Sequence, residues 1–339
     1  MNVIEKISST FWDDVARNCD YATFFHTRNW AELMSKTFSY IDITKGFLFD
    51  DGTRVVFPLM TKRNPLLKGF LYDYISGASY VYGGPISDGE LNKQKLDEII
   101  EYIISSCERY HTIIIRGNPF GPSISPTGFK EVMDSSHIVE LFKYNDEKDL
   151  LKSYSQRTRS RIRRAKRSNV QIVEATSLEK YEKLYEIYKN SFKYWGDNIL
   201  TNYPITLFQN AYNLKSKFIK LWITSYNGEM IGGDITLYWN DYCQLWHFYH
   251  NREYSKLFSG RYLLHRHFCD CKEKGIKYFD FRQSGGLKGV EIFKKSMGGK
   301  EYNYNAWVKE NDFLKKARYI KKNLISLYKK VRPENNNQI

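Results

Sequence analysis

The feature that most constrains this chain is a run of three short segments between residues 218 and 250, separated by two tight turns. Asn227-Gly228 divides 218–226 from 230–239, and Asn240-Asp241 divides that segment from 242–250. Two-residue turns of this composition tolerate positive φ and join antiparallel strands. The three segments therefore read as a meander. On its middle strand Gly232, Asp234, Thr236 and Tyr238 share one face, because strand side chains alternate. After Arg252 a loop reaches Ser259-Gly260, a helix follows to about Lys274, and another strand opens near Gly275.

The first half follows a similar order. Segments 41–49 and 54–61 read as a hairpin turning at Asp50-Asp51-Gly52. A Gly- and Tyr-rich connection covers 72–85. Helical spacing of apolar residues covers 91–109, and 112–116 (TIIIR) reads as a buried strand. Upstream, residues 1–40 read as short helices, with one entered at about Asn29. The order of hairpin, helix and strand thus occurs twice, without a residue-level repeat. The expectation is an α+β protein of two tandem domains, 1–145 and 146–310. Their sheets would be mixed, mostly antiparallel and flanked by helices. A basic tail, 311–339, would follow.

The segment 275–299 (GIKYFDFRQSGGLKGVEIFKKSMGG) carries the chemistry. Phe279 and Phe281 would point to one side of its strand, and Tyr278, Asp280 and Arg282 to the other. Ser284-Gly285-Gly286 would let backbone N–H groups approach a ligand. Phe293-Lys294 then suggests an aromatic anchor with a lysine at the mouth of a site.

Charge narrows the partners. The 339-residue chain has a formal net charge of +14, which favours anionic partners: RNA, phosphorylated or lipid-linked substrates, or an anionic membrane surface. Residues 147–168 read as one helix whose inner stripe is Leu151, Tyr154, Thr158, Ile162 and Ala165. Around it stand Arg157, Arg159, Arg161, Arg163, Arg164, Lys166 and Arg167, seven cations in eleven residues. With no acids at i+4 to offset them, these cations are more stable against phosphates. Beyond Asp312, apolar residues at helical spacing from Phe313 to Val331 alternate with lysines and arginines. That pattern suits a helix lying on an anionic membrane, packing on the last domain, or contacting RNA.

No stretch approaches the ~20 apolar residues of a membrane span, and the N-terminus has no apolar signal core. Five cysteines without a CxxC pair fit a reducing compartment. A cytoplasmic protein is expected, with peripheral contact at the inner membrane face through the basic tail. On the helix 260–274, His265 and Cys269 share one face, and His267 and Cys271 another. Core or surface histidines are favoured over a metal site, so no metal is expected.

Three antiparallel strands, a loop ending in Ser-Gly, a helix and a further strand resemble the core of the Gcn5-related N-acetyltransferases (GNAT). The resemblance implies that Ser259, Gly260 and Arg261 stand where that fold cradles a pyrophosphate at a helix N-terminus. Leu257 and Phe258 occupy positions where small residues are usual. Three stretches are similar to the FemABX family and its BioF2-like acetyltransferase relatives: ATFFHTRNWAEL at 22–33, SQRTRSRIRRAKRSNVQI at 155–172 and YFDFRQSGGLKGVEIFKKSMGG at 278–299. Family members are tandem GNAT-like folds that join amino acids or other acyl groups to amines.

The resemblance implies an acyltransferase acting on an amine of a cell-envelope precursor, peptidoglycan or surface glycan. The donor would be aminoacyl-tRNA or acyl-CoA, with no permanently bound cofactor. Lys294 matches the family's functional lysine and would place positive charge at the oxyanion. Asp280 or Asp234 would accept the amine proton, and each also has a purely structural reading. Arg159, Arg163 and Lys166 would hold phosphates, with Arg282 and Phe293 beside the substrate. Two alternatives stand. One is acyl-CoA-dependent N-acetylation of an amino sugar or small amine. The other, from a different class, is a non-catalytic RNA-binding protein on a GNAT scaffold.

Overall fold

The computed structural model describes residues 1–65, 70–195 and 202–312. The expected basic helix from Phe313 onward lies outside them.

The first half opens with β1 (Asn2–Ile4), α1 (Ser9–Asn18) and α2 (Arg28–Phe38). The hairpin anticipated at 41–61 forms, with Gly52 at φ +85° in its turn. It is bent between two sheets. Its tip, β3 (Lys45–Leu48) with β4 (Arg54–Phe57), joins β1 and β7 (Ile86–Ser87) in a four-stranded sheet. Its base, β2 (Ile41–Asp42) with β5 (Met60–Arg63), is the edge of a much larger one. The segment expected to be a plain connection contains β6 (Tyr72–Ser76). Helix α3 (Lys93–Ser106) and strand β8 (Tyr110–Arg116) fall where the periodicity puts them. Strand β9 (Lys130–Glu140) completes this half.

The expected helix 147–168 is broken in two, α4 (Glu147–Ser153) and α5 (Gln156–Arg167). Tyr154 is extended, and the Ser155 side chain accepts from Thr158 N to cap the new helix. Strand β10 (Gln171–Ala175), α6 (Leu178–Trp195) and α7 (Ile205–Asn213) lead into the meander. Its strands are β11 (Ile219–Tyr226), β12 (Glu229–Trp239) and β13 (Tyr242–His250). Asn227, Gly228 and Asn240 all have positive φ in the two turns. Then come α8 (Ser259–Glu273), β14 (Tyr278–Asp280), α9 (Lys288–Ser296) and β15 (Lys300–Glu310).

The large sheet has eleven strands in the order β10-β11-β12-β13-β14-β9-β15-β8-β6-β5-β2. The tandem α+β architecture is therefore present, but the sheet does not divide at residue 145. Strand β9, from the first half, pairs with β14 and β15 of the second. Strand β15, from the second half, pairs with β8 of the first. Each half thus lends one strand to the central pair. A shared aromatic core reinforces the join: Trp30 meets Trp246 edge to face at 5.4 Å, and Trp239 Nε1 donates to the Ala16 carbonyl at 2.9 Å.

Candidate active site

The site begins where two strands part. Strand β13 runs parallel to β14 only at Tyr242–Tyr278, Cys243–Phe279 and Gln244–Asp280. Past that point β13 continues to His250. The other chain leaves the sheet, with Arg282 in the left-handed region at φ +61°. A cleft of about 370 Å³ opens between them. Leu245, Trp246, Phe248, Phe281, Gly289, Val290, Phe293 and Lys294 line it. The expected polar face on strand 278–282 does not form, because β14 stops at Asp280.

Lys294 is the one charged side chain among those lining residues, and it is buried. Its ammonium donates to the carbonyls of Arg282 (2.8 Å) and Gln283 (2.7 Å). Burial draws its pKa down to about 7; Asp280 opposes that shift and Arg282 adds to it. Helix α9 carries Lys294 because Gly286, at φ +74°, lets the loop turn, and Leu287 then starts the helix. His137, which the sequence reading missed, is buried nearby, and after burial itself the Lys294 charge lowers its pKa.

The two aspartates are not free bases at the cleft. Asp280 is buried between β13 and β9, and it accepts from Ser136 Oγ at 2.5 Å and Arg282 N at 2.7 Å. Burial raises its pKa, although Ser136 and the Arg282 amide oppose the rise. It anchors the turn after β14. Asp234 is fully buried beneath α8, with one oxygen 3.4 Å from His267 Nδ1. Burial raises its pKa well above the usual carboxylate range. Neither aspartate lines the cleft.

A second pocket, about 450 Å³, sits at the N-terminus of α8. Gln156, Arg157, Ser160, Arg161, Arg164 and Phe258 form it, so no carboxylate lines it. Phe258 takes the left-handed N-cap position of α8, and Arg161 and Arg164 lie over its ring at 5.0 and 5.5 Å. The residue that departs from the usual small-residue pattern is therefore a platform for two arginines. Arg261 approaches from α8. Burial lowers its pKa to about 10, and repulsion from Arg161 and Arg157 adds to the shift. Guanidiniums crowded this way, with no acid among the lining residues, are chemically suited to an anion.

The cations singled out from the sequence lie elsewhere on the helix. Arg159 donates to the Lys152 and Tyr154 carbonyls and so satisfies the end of α4. Arg163 and Lys166 are exposed and do not line the pocket. Both arginine sets obey i, i+4, i+7 spacing, so periodicity alone does not choose between them.

The remaining candidates sit between pocket and cleft. Ser259 shares a hydrogen bond of 3.3 Å with His250 Nδ1. Gly260 is needed for packing: a Cβ there would sit 2.9 Å from both His250 Nε2 and the Phe248 ring. Arg261 donates to Ser296 Oγ at 2.8 Å and covers the Phe293 ring. Arg282 donates to the Tyr80 carbonyl and lies over Phe25, which joins the site to the first half. A larger groove of about 810 Å³, between α3 and residues 122–127, contains none of these residues.

Residues 152–295 match the family model of an acetyltransferase (GNAT) domain. The splayed strands and the arginine pocket at the α8 N-terminus both lie within the matched residues. Over nearly its whole length the chain has the fold of FemX. The crystal structure of FemX superposes with a TM-score of 0.71 at 14% identity, covering 90% of this chain and 97% of that one. The C-terminal domain of a putative lysylphosphatidylglycerol synthetase from Agrobacterium fabrum is also similar (TM-score 0.56, 9% identity, 90% and 92% covered). So is a tandem GNAT protein from the clavulanic acid biosynthesis pathway (TM-score 0.50, 9% identity, 91% and 98% covered). No curated protein matches the chain by sequence. The tandem GNAT and FemABX-like resemblance read from the three motifs is thus borne out in the fold. Among the described residues no helix is long and apolar enough to cross a membrane.

Proposed function

We propose that this protein transfers an aminoacyl group from aminoacyl-tRNA to an amine on a cell-envelope precursor, of the peptidoglycan or surface-glycan class. The observation that carries the reading is the junction of two pockets: an arginine cluster without acids, open to the surface, beside an aromatic cleft holding Lys294. A polyanionic donor binds the first and places its acyl carbonyl in the second. The net charge of +14 extends the same attraction beyond the pocket.

The chemistry follows from the lining. The neutral acceptor amine attacks the acyl carbonyl. The C–N bond forms as the carbonyl π bond opens to an oxyanion. Collapse of the intermediate breaks the ester C–O bond, and the amine proton passes, through water, to the departing alkoxide oxygen, which leaves as a hydroxyl. Charged Lys294 stabilises the oxyanion. Phe248, Phe281 and Phe293 exclude water from the acyl group and strengthen that interaction. Asp280 positions the turn whose carbonyls hold Lys294.

A second reading has its own observation. Beyond Gln244 the β13 edge facing the cleft is not paired with β14. An extended amide-bearing arm, such as that of acyl-CoA, would find backbone partners there. The N-acetyltransferase reading rests on that edge. The RNA-binding reading requires the arginine pocket alone.

Titrations with acetyl-CoA, charged tRNA and uncharged tRNA at two salt concentrations separate the three. Tight binding that prefers charged tRNA supports the proposal. Saturable CoA binding with weak tRNA affinity replaces it with the second reading. Salt-sensitive binding indifferent to charging points to a binding protein.

A further inference from the structure

Away from the cleft, three side chains converge where α4 meets α8. Glu147 opens α4, and His265 and Cys269 lie one turn apart on α8. Ligand atoms from the Glu147 carboxylate, the His265 ring and the Cys269 thiol, one each, lie within 4.8 Å of one another, and Glu147 Oε1 is 3.1 Å from His265 Nε2. The sequence shows only the His265–Cys269 pair. The fold adds an oxygen ligand from 118 residues upstream.

We propose that Glu147, His265 and Cys269 bind a thiophilic divalent transition ion, zinc foremost. One nitrogen, one sulfur and one carboxylate oxygen form a donor set that suits zinc, with a fourth position left to solvent. Ligand atoms around tetrahedral zinc stand about 3.3–3.8 Å apart. His265 and Cys269 are buried and Glu147 is exposed; the nitrogen–oxygen pair already stands at 3.1 Å, so binding needs only a small approach between it and the Cys269 sulfur. The other ring nitrogen, Nδ1, faces the Tyr154 hydroxyl at 3.4 Å, a partner that orients a ligating imidazole. Binding would release the Cys269 thiol proton to solvent. The ion would tie α4 to α8, the helix that begins at the arginine pocket.

The test uses the full chain, stripped of metal by a chelator and titrated with Co²⁺. The expected result is a thiolate-to-cobalt charge-transfer absorption that saturates at one ion per chain and is displaced by Zn²⁺. Cys269→Ser should abolish it, while Cys107→Ala, in the first half, should keep it. Glu147→Gln changes an exposed side chain, so the fold is retained; affinity should fall at least about tenfold. Zinc should raise the melting temperature of the wild type and leave that of Cys269→Ser unchanged. Absence of the absorption in wild type, its survival in Cys269→Ser, or unchanged affinity in Glu147→Gln would each overturn the site.

Discussion

The Arg261 guanidinium lies 4.7 Å over the Phe293 ring, and this stacking joins the two pockets of the site. Arg261 shares the positive field of Arg157 and Arg161 on one side. Phe293 lines the aromatic cleft on the other. Arg261→Ala should therefore weaken donor binding and also loosen α9, raising KM and lowering kcat together. Arg261→Lys should restore the charge but not the planar stacking. A variant series with unchanged kcat would separate the two pockets functionally.

Lys294→Met keeps a linear apolar side chain in a buried position, so the fold should survive. Removing one oxyanion-stabilising group typically costs about 10²–10³ in turnover. Single-turnover acyl transfer, with circular dichroism to confirm folding, measures the loss. Near-wild-type turnover would remove Lys294 from the chemistry.

The depressed pKa of Lys294 has a signed consequence for pH. If the charged form is the active one, kcat/KM should fall as pH rises through about 7. Stability runs the other way. The unfolded lysine holds its proton up to its ordinary value of 10.5, whereas the folded one loses it near 7. Between those values the unfolded state binds more protons, so stability rises with pH in that window. Lys294→Met should flatten both profiles. Denaturant midpoints at pH 6, 8 and 10 and rates across the same range supply the check.

The meander and its turns were legible because Asn227-Gly228 and Asn240-Asp241 are local signals with a local cause. Helix α8 was legible for the same reason. The strand exchange was not. Lys300 pairs with Ile138 across 162 residues, and no periodicity within either segment announces that partner. Lys294 was found through a motif, whereas the acid-free stripe Arg157, Arg161 and Arg164 was not. The sequence offers two stripes of equal spacing on α5, and only the packing of α5 against α8 decides which one faces a pocket. Strand alternation puts Asp280 on a polar face with Tyr278 and Arg282. The donated strand β9 covers it.

The two α5 stripes should differ in binding. Arg157→Ala, Arg161→Ala and Arg164→Ala should each weaken a polyanionic donor. Each should also reduce the slope of log K against log salt by about 0.7–0.9 for every phosphate that is no longer neutralised. Arg163→Ala and Lys166→Ala should leave the slope nearly unchanged. Arg159→Ala should act on stability instead, because it uncovers the carbonyls at the end of α4. Equal slopes for the two stripes would mean that the donor is held by overall charge and not by the pocket.

Gly232 tests how closely the strands beneath the site are packed. A Cβ there would come within 2.0 Å of His250 Nδ1, and the His250 ring is already hemmed in by Gly260 and bonded to Ser259. Gly232→Ala should thus displace His250 toward the α8 N-terminus and cost about 1–3 kcal/mol, the usual range for overpacking. The displacement should also disturb Phe248, which meets His250 edge to face at 4.7 Å and lines the cleft. Thermal melting reads the first effect and acyl transfer at a permissive temperature reads the second. A stable but slow variant would show that the β12–β13 packing shapes the cleft. A destabilised variant with normal turnover would confine the role of Gly232 to folding.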